Sequence, residues 1–326
     1  MEANILEVRH LTTQFLTKRG VVKAVDDLSF GLKKGECLSL VGESGCGKTT
    51  AALSILRLVD CPPGKIIGGE VLYHGEDLLR LTGARLREIR GNRIAMIFQD
   101  PQSSLNPVFT VGDQIAEPIR LHMNLSKVEA QKRAAELMAQ VGIPRAVDRI
   151  KDYPHQFSGG MRQRVMIAIA LSCDPGILIA DEPVTALDTT VKAQILDILL
   201  QIKKMRQMTI LFITHDLASV RSLADRVVVM YGGRLVETGS TTQILNEPRH
   251  PYTRGLIGCR PDVSLGKRRL TSIPGSIPSL IDPPPGCIFH PRCERKLPVC
   301  SELRPEATII SEGHTVVCHL YHRTEP

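Results

Sequence analysis

The chain has 326 residues, 43% hydrophobic, 4% aromatic and 23% charged, with 41 basic and 34 acidic side chains for a net charge of +7. That length suits one large domain with an attached segment, or two domains, and the ordinary apolar content excludes a collagen-like or wholly disordered chain. No run of about 18 uninterrupted apolar residues suggests a membrane-spanning helix, and Met1-Glu2-Ala3-Asn4 lacks a signal peptide's basic start, so a cytosolic chain, at most peripheral to a membrane, is expected.

Residues 5–9 and 21–30 read as short alternating strands around a loop. Cys37 to Val41 is a short apolar run, followed by a glycine-rich turn and a helical pattern from Lys48 to about Leu58. Residues 66–73 and 93–98 give further strands, and from about Asp113 to Val141 the period turns helical. A second helical run spans Met161 to Leu171, and strand signals return at Ile177–Ala180, Thr209–Thr214 and Arg226–Met230. Strands alternating with helices predict a mainly parallel sheet covered on both faces. From about Asn246 prolines crowd the chain, which predicts a linker and a small irregular appendage.

The turn after the first apolar run, Gly42-Glu43-Ser44-Gly45-Cys46-Gly47-Lys48-Thr49, matches G-x-x-x-x-G-K-[ST]. A polyphosphate needs donors on several sides without obstruction. Glycines let the backbone wrap and aim its N–H groups inward, and the next helix points its N-terminus at the same anion. Lys48 supplies a point charge for the β- and γ-phosphates, and Thr49 a hydroxyl for Mg²⁺. Cys46 sits in the loop, where its thiol need do no chemistry.

Asp181-Glu182 ends the apolar run Ile177–Ala180. After a phosphate loop, such a pair suits a Mg²⁺ contact from Asp181 and polarisation of the attacking water by Glu182. Ser158-Gly159-Gly160 precedes a helix, as an N-cap and anion-accepting nest would. Gln99 ends the strand Ile94–Phe98 and His215 follows Thr214. Alone, each has a bland structural reading; the ordered set does not.

That ordered set resembles the ATP-binding subunits of ABC transporters over about residues 5–245. The resemblance implies an α/β P-loop NTPase of the ABC ATPase type, with a mixed-sheet core, a helical subdomain at about 100–170, and a small irregular Cys-rich appendage over 246–326. It implies ATP contacts from Phe15, which stands where an aromatic stacks on adenine, and from Gly42, Glu43, Ser44, Gly45, Cys46, Gly47, Lys48, Thr49 and Thr50. Thr49, Gln99 and Asp181 would hold Mg²⁺. Glu182, His215 and Gln99 would be catalytic, and Asp188 would sit in the D-loop Ala186-Leu187-Asp188. Ser158, Gly159 and Gly160 would form the signature that touches ATP across a head-to-tail dimer; Met161 stands where the family usually has Gln.

The segments Met96–Pro107, Tyr153–Phe157 and His250–Arg254 are similar to the oligopeptide/dipeptide importer subfamily, which also includes nickel importers. That likeness implies ATPase-driven peptide import, with a nickel or other small-solute importer as the alternative. The partners would be two transmembrane permease subunits, a second and paralogous ATP-binding subunit, and an extracytoplasmic solute-binding protein. The location would be the cytoplasmic face of the inner membrane. A DNA-repair-type ABC ATPase fits less well: the spacing from loop to signature is compact, and 4% aromatics offer no stacking platform for single strands, so no nucleic-acid partner is expected.

Four of the nine cysteines, Cys287, Cys293, Cys300 and Cys318, fall in the last 40 residues. Four thiols on a proline-rich segment suggest a metal staple. Zinc, with His290 or His319 substituting, and free thiols remain open beside an iron–sulfur cluster. Peptide-importer ATPases with a similar tail are described as carrying [4Fe-4S].

Overall fold

The computed structural model describes residues 4–185, 187–259 and 273–322; Ala186 of the expected D-loop lies outside them. In chain order the strands are β1 (Asn4–Thr17), β2 (Gly20–Lys33), β3 (Cys37–Val41), β4 (Gly64–Tyr73), β5 (Glu76–Asp77), β6 (Ile94–Ile97), β7 (Ile177–Asp181), β8 (Thr209–Thr214), β9 (Arg226–Tyr231), β10 (Arg234–Ser240), β11 (Ala307–Ser311) and β12 (His314–Val317). The chain divides into two compact units, Met1–Leu79 with Thr214–Pro326, and Arg80–Ile213.

In the first unit β2, β1, β4 and β5 form an antiparallel sheet in that order. Val8 and Leu11 are both buried although three residues apart, which a strict two-residue alternation forbids. The strand solves this with a register shift between them, where His10 adopts a positive φ of 51°. Such a bulge returns the side chains to the core face. The short strands expected at 5–9 and 21–30 are therefore two 14-residue strands, and they belong to an antiparallel sheet that the alternating βα pattern does not announce.

β3 is buried at every position and pairs in parallel with β9. β9 continues antiparallel through β10 and β12 to β11. The helix Lys48–Ile55 follows β3 and buries Ala51, Ala52 and Ile55. Its Ser54 hydroxyl meets Thr13 Oγ1 of β1 at 2.8 Å, so two buried hydroxyls satisfy each other.

The proline-rich tail carries more regular structure than its composition predicts. Pro251 opens the helix Pro251–Gly258 at the first turn, where a missing N–H costs nothing. Beyond the last of the crowded prolines, β11 and β12 form a hairpin that extends the strand order of β9 and β10. Val41, Val229, Tyr231, Tyr252, Ile257, Ile288 and Phe289 share one core cluster. Within it the Tyr231 and Phe289 rings meet edge to face at 5.1 Å, and Tyr231 and Tyr252 at 4.6 Å. Such pairs add about 0.5–1.5 kcal/mol each beyond their burial. Glu237 is wholly buried, yet it accepts the Arg249 and His250 N–H groups at 2.7 and 2.9 Å and lies 2.8 Å from His314 Nε2.

In the second unit β6, β7 and β8 are parallel, with Ile94 opposite Ile177 and Ile177 opposite Thr209. Their continuous apolar runs suit strands covered on both faces. The single helical stretch expected from 113 to 141 is two helices, Val111–Met123 and Lys127–Gln140. Asn124 ends the first in the left-handed region, and Ser126 with Glu129 forms a capping box that starts the second. Helices Gly159–Leu171 and Thr189–Arg206 complete the unit's longer elements. Among the described residues no helix is long and apolar enough to cross a membrane.

Candidate nucleotide-binding and catalytic sites

The phosphate-loop pattern lies in the first unit, between β3 and the helix Lys48–Ile55. A Cβ on Gly42 would stand 2.3 Å from the Met230 carbonyl oxygen and 2.7 Å from Cys46 Sγ. One on Gly47 would stand 2.1 Å from the Ala24 carbonyl oxygen, and its φ of 101° is unfavourable for any side chain. The loop thus wraps tightly only as glycine. Gly47 is also the helix N-cap and, having no side chain, offers no side-chain cap to the first turn.

Lys48 is 4% exposed, and its Nζ donates to the Gly42 and Glu43 carbonyls at 2.8 and 3.0 Å. The ammonium therefore sits inside the curl of the loop. Ser44 and Gly45 are exposed, while Thr49 and Thr50 are half-buried. Cys46 is buried; burial pushes its thiol pKa up, against the pull of Lys48, so it acts as a packing group. Phe15 is half-buried on β1, its ring edge 2.9 Å from where a Gly64 Cβ would stand. His215 follows β8 and is exposed; the next residue, Asp216, caps the helix Leu217–Leu223.

The second unit gathers the other group. Asp181 ends β7 and is 1% exposed. Glu182 follows at a φ of 45°, a strained value for a non-glycine residue that costs on the order of 1–3 kcal/mol and concentrates at functional sites. Its N–H bonds the Ile213 carbonyl at 2.9 Å, which fixes the turn. Its carboxylate accepts Gln99 Nε2 at 3.3 Å and Thr185 Oγ1 at 2.9 Å. The parallel pairing of β6 and β7 brings Gln99 to Glu182 across 83 residues of sequence. Thr185 escaped the sequence reading, although three residues beyond a carboxylate at a strand end is one turn away.

Ser158 caps the helix Gly159–Leu171, accepting the Met161 N–H at 3.4 Å. A Cβ on Gly160 would lie 2.5 Å from Val191 Cγ1, so this glycine is needed for helix packing. One on Gly159 would meet nothing within 4 Å among the described residues. Asp188 caps the helix Thr189–Arg206 through the Val191 N–H at 2.9 Å.

Comparison with known proteins separates this chain from other phosphate-loop proteins. Residues 25–185 match the ABC transporter family, and residues 236–300 match the oligopeptide/dipeptide transporter C-terminal region. The chain is 48% identical over 316 residues to the dipeptide transport ATP-binding protein DppD of Bacillus subtilis (strain 168), spanning 97% of this chain and 94% of that one. The chain belongs to the ABC transporter ATP-binding proteins.

The similarity extends to the oligopeptide transport ATP-binding protein OppD of the same organism, at 46% identity over 99% of this chain and 90% of OppD. A putative peptide import ATP-binding protein of Brucella abortus (strain 2308) is 52% identical over 93% of this chain and 91% of its own length. Among solved structures, the dimeric ATP-binding cassette MJ0796 in a post-hydrolysis state with ADP and Pi matches with a TM-score of 0.65 at 27% identity. It covers 72% of this chain and 98% of that chain.

The C-terminal region of this ABC ATPase holds the four grouped cysteines. Cys287 and Cys293 are half-buried, Cys300 and Cys318 buried. The Cys287 N–H bonds the Cys300 carbonyl at 2.8 Å. Burial pushes the thiols of Cys287 and Cys293 up, and that of Cys318 up to about 11; Cys287, Cys293 and Cys300 add to the rise at Cys318. The fold thus gathers the four into one neighbourhood. Among the described residues, however, no three His, Cys, Asp or Glu side chains form a group arranged to hold a metal ion. The ring nitrogens His290 Nδ1 and His319 Nε2 engage the Cys287 and Leu303 carbonyls at 2.9 and 2.8 Å.

Proposed function

We propose that this chain is the nucleotide-binding subunit that energises import of peptides across the inner membrane, working at its cytoplasmic face. Two permease subunits would carry the solute, a paralogous ATP-binding subunit would complete a head-to-tail dimer, and an extracytoplasmic binding protein would deliver the peptide. Full-length similarity to transport proteins named for dipeptides and oligopeptides supports the substrate class. The catalytic region would span 1–245, with its helical subdomain at about 100–170, and the C-terminal domain 246–326.

The observation that carries hydrolysis is Glu182, buried, held at a strained φ and fixed by Gln99 and Thr185. A carboxylate so placed can orient a water and take its proton. Lys48 and the amides of residues 43–50 would bind the phosphates, and Phe15 would stack on adenine. Thr49, Gln99 and Asp181 would hold Mg²⁺, which neutralises phosphate charge when bound. Two observations fit that role: a loop whose close wrapping leaves no room for a Cβ at Gly42 or Gly47, and an acidic oxygen donor of the hard kind Mg²⁺ takes, buried at a strand end. Ser158, Gly159 and Gly160 would contact the partner subunit's ATP, Asp188 would lie in the D-loop, and His215 and Gln99 would join Glu182 in catalysis.

The tail would hold a [4Fe-4S] cluster on Cys287, Cys293, Cys300 and Cys318. The gathering of four thiols supports that donor set, while their arrangement is not closed around an ion. No step of hydrolysis runs through it. The test of the catalytic reading is Glu182→Gln, which keeps shape and removes the base. Its ATPase rate should fall about 100-fold or more with nucleotide binding retained; full turnover would remove Glu182 from the role.

A further inference from the structure

The C-terminal region reaches the phosphate loop through two side chains, Arg292 and Tyr252, both at Glu43. Arg292 lies between Cys287 and Cys293 in sequence, and its side chain is only 5% exposed. All five of its N–H donors are used. Nε donates to the Pro274 carbonyl at 2.7 Å, and Nη1 to Glu43 Oε2 at 2.8 Å and the Tyr231 hydroxyl at 3.3 Å. Nη2 donates to Glu43 Oε1 at 3.2 Å and the Ile273 carbonyl at 3.3 Å. The guanidinium therefore grips Glu43, the second residue of the loop, with both arms of its fork.

Glu43 is held elsewhere as well. Its N–H donates to the Tyr252 hydroxyl at 2.8 Å, and its carbonyl accepts Lys48 Nζ at 3.0 Å. Tyr252 comes from the same C-terminal region and packs on Phe289, three residues before Arg292. Ile288 in turn closes over Gly232, where a Cβ would stand 2.5 Å from its Cδ1, and the adjacent Gly233 N–H bonds the Cys46 carbonyl at 2.9 Å. The loop is thus pinned at Glu43 and at Cys46, while Ser44 and Gly45 between them stay exposed.

We propose that Arg292 and Tyr252 form a strap that sets the conformation of the phosphate loop for nucleotide, acting through Glu43. A loop rich in glycine loses much backbone entropy when ordered, and a site ordered beforehand binds its ligand more tightly. The bidentate guanidinium–carboxylate pair and the tyrosine hydroxyl order the residue whose carbonyl holds Lys48. Arg292 is a positioning residue: its five donors are spent on protein atoms. This rests on the reading of the loop as the ATP site and adds the C-terminal region as its regulator.

The test uses full-length protein and titration of a fluorescent ATP analogue with Mg²⁺, with thermal unfolding recorded in parallel. Arg292→Met should raise the nucleotide Kd about tenfold, and Tyr252→Phe, which removes one hydroxyl, about threefold. Glu43→Gln should weaken binding as well. The pair Arg292→Met/Glu43→Gln should be no weaker than Arg292→Met alone, because both break one link. Arg292→Lys should recover part of the loss, since it keeps charge without the fork. Folded Arg292→Met and Tyr252→Phe with unchanged Kd, or strictly additive losses in the double variant, would overturn the strap. Failure of the ATP-site reading looks different: wild type would not bind the analogue, or Lys48→Ala would bind it equally well.

Discussion

His250 caps the helix Pro251–Gly258, its Nδ1 accepting the Tyr252 N–H at 3.1 Å, and it is 1% exposed. Burial lowers its pKa from 6.5 to about 3. Glu237 takes the His250 N–H, Arg249 and His314 share that carboxylate, and the Phe289 ring stands 5.6 Å from the imidazole. The unfolded chain binds the proton near the ordinary value, the folded chain only near 3, so acid favours unfolding between those values. The contribution of His250 to stability is therefore complete above about pH 6.5 and falls as pH drops. At about pH 5 the 1.5-unit gap from the ordinary value corresponds to roughly 2 kcal/mol. His250→Asn keeps a capping oxygen and removes the titration. Urea unfolding at about pH 7.5 and about pH 5 should show the wild type losing about 2 kcal/mol more than His250→Asn. Equal losses in the two proteins would show that His250 does not carry the acid sensitivity.

The two glycines of the signature segment should part company. Gly160→Ala overpacks Val191 and should cost about 1–3 kcal/mol in thermal or urea unfolding. Gly159→Ala has open space and should unfold within about 1 kcal/mol of wild type, yet slow ATP turnover if that face meets the partner's nucleotide. For the tail, protein purified without oxygen should show a broad visible absorption that Cys293→Ser loses; a colourless protein containing zinc would contradict the cluster.

The parts legible in the sequence are those whose cause is local. A five-residue run before glycines, Cys37–Val41, and a four-residue one before Asp181-Glu182 place β3 and β7 almost to the residue because a buried parallel strand needs just that pattern. Ser158 caps its helix because a short hydroxyl side chain at that point satisfies a first-turn amide. The break at Asn124 to Ser126 carried a signal, a left-handed asparagine and a capping box, that the helical period concealed.

What stayed hidden depends on distance along the chain. Arg292 meets Glu43 across 249 residues, and His314 meets Glu237 across 77. Nothing in a charge's own neighbourhood names such a partner. The bulge at His10 is similar: it is forced by the need to bury both Val8 and Leu11, visible only once the neighbouring strands are placed. Proline content misled about the tail because a proline at a helix's first turn and prolines before a hairpin leave both elements intact.

Hydrolysis by this chain is expected to drive peptide uptake. Proteoliposomes holding the two permeases, this subunit and its paired ATPase, with a binding protein and labelled peptide presented on the other face, should accumulate peptide only when ATP and Mg²⁺ reach the nucleotide subunits. Substituting Glu182→Gln should abolish that accumulation while ATP stays bound. Uptake that continues with Glu182→Gln, or ATP turnover that never moves peptide, would contradict it.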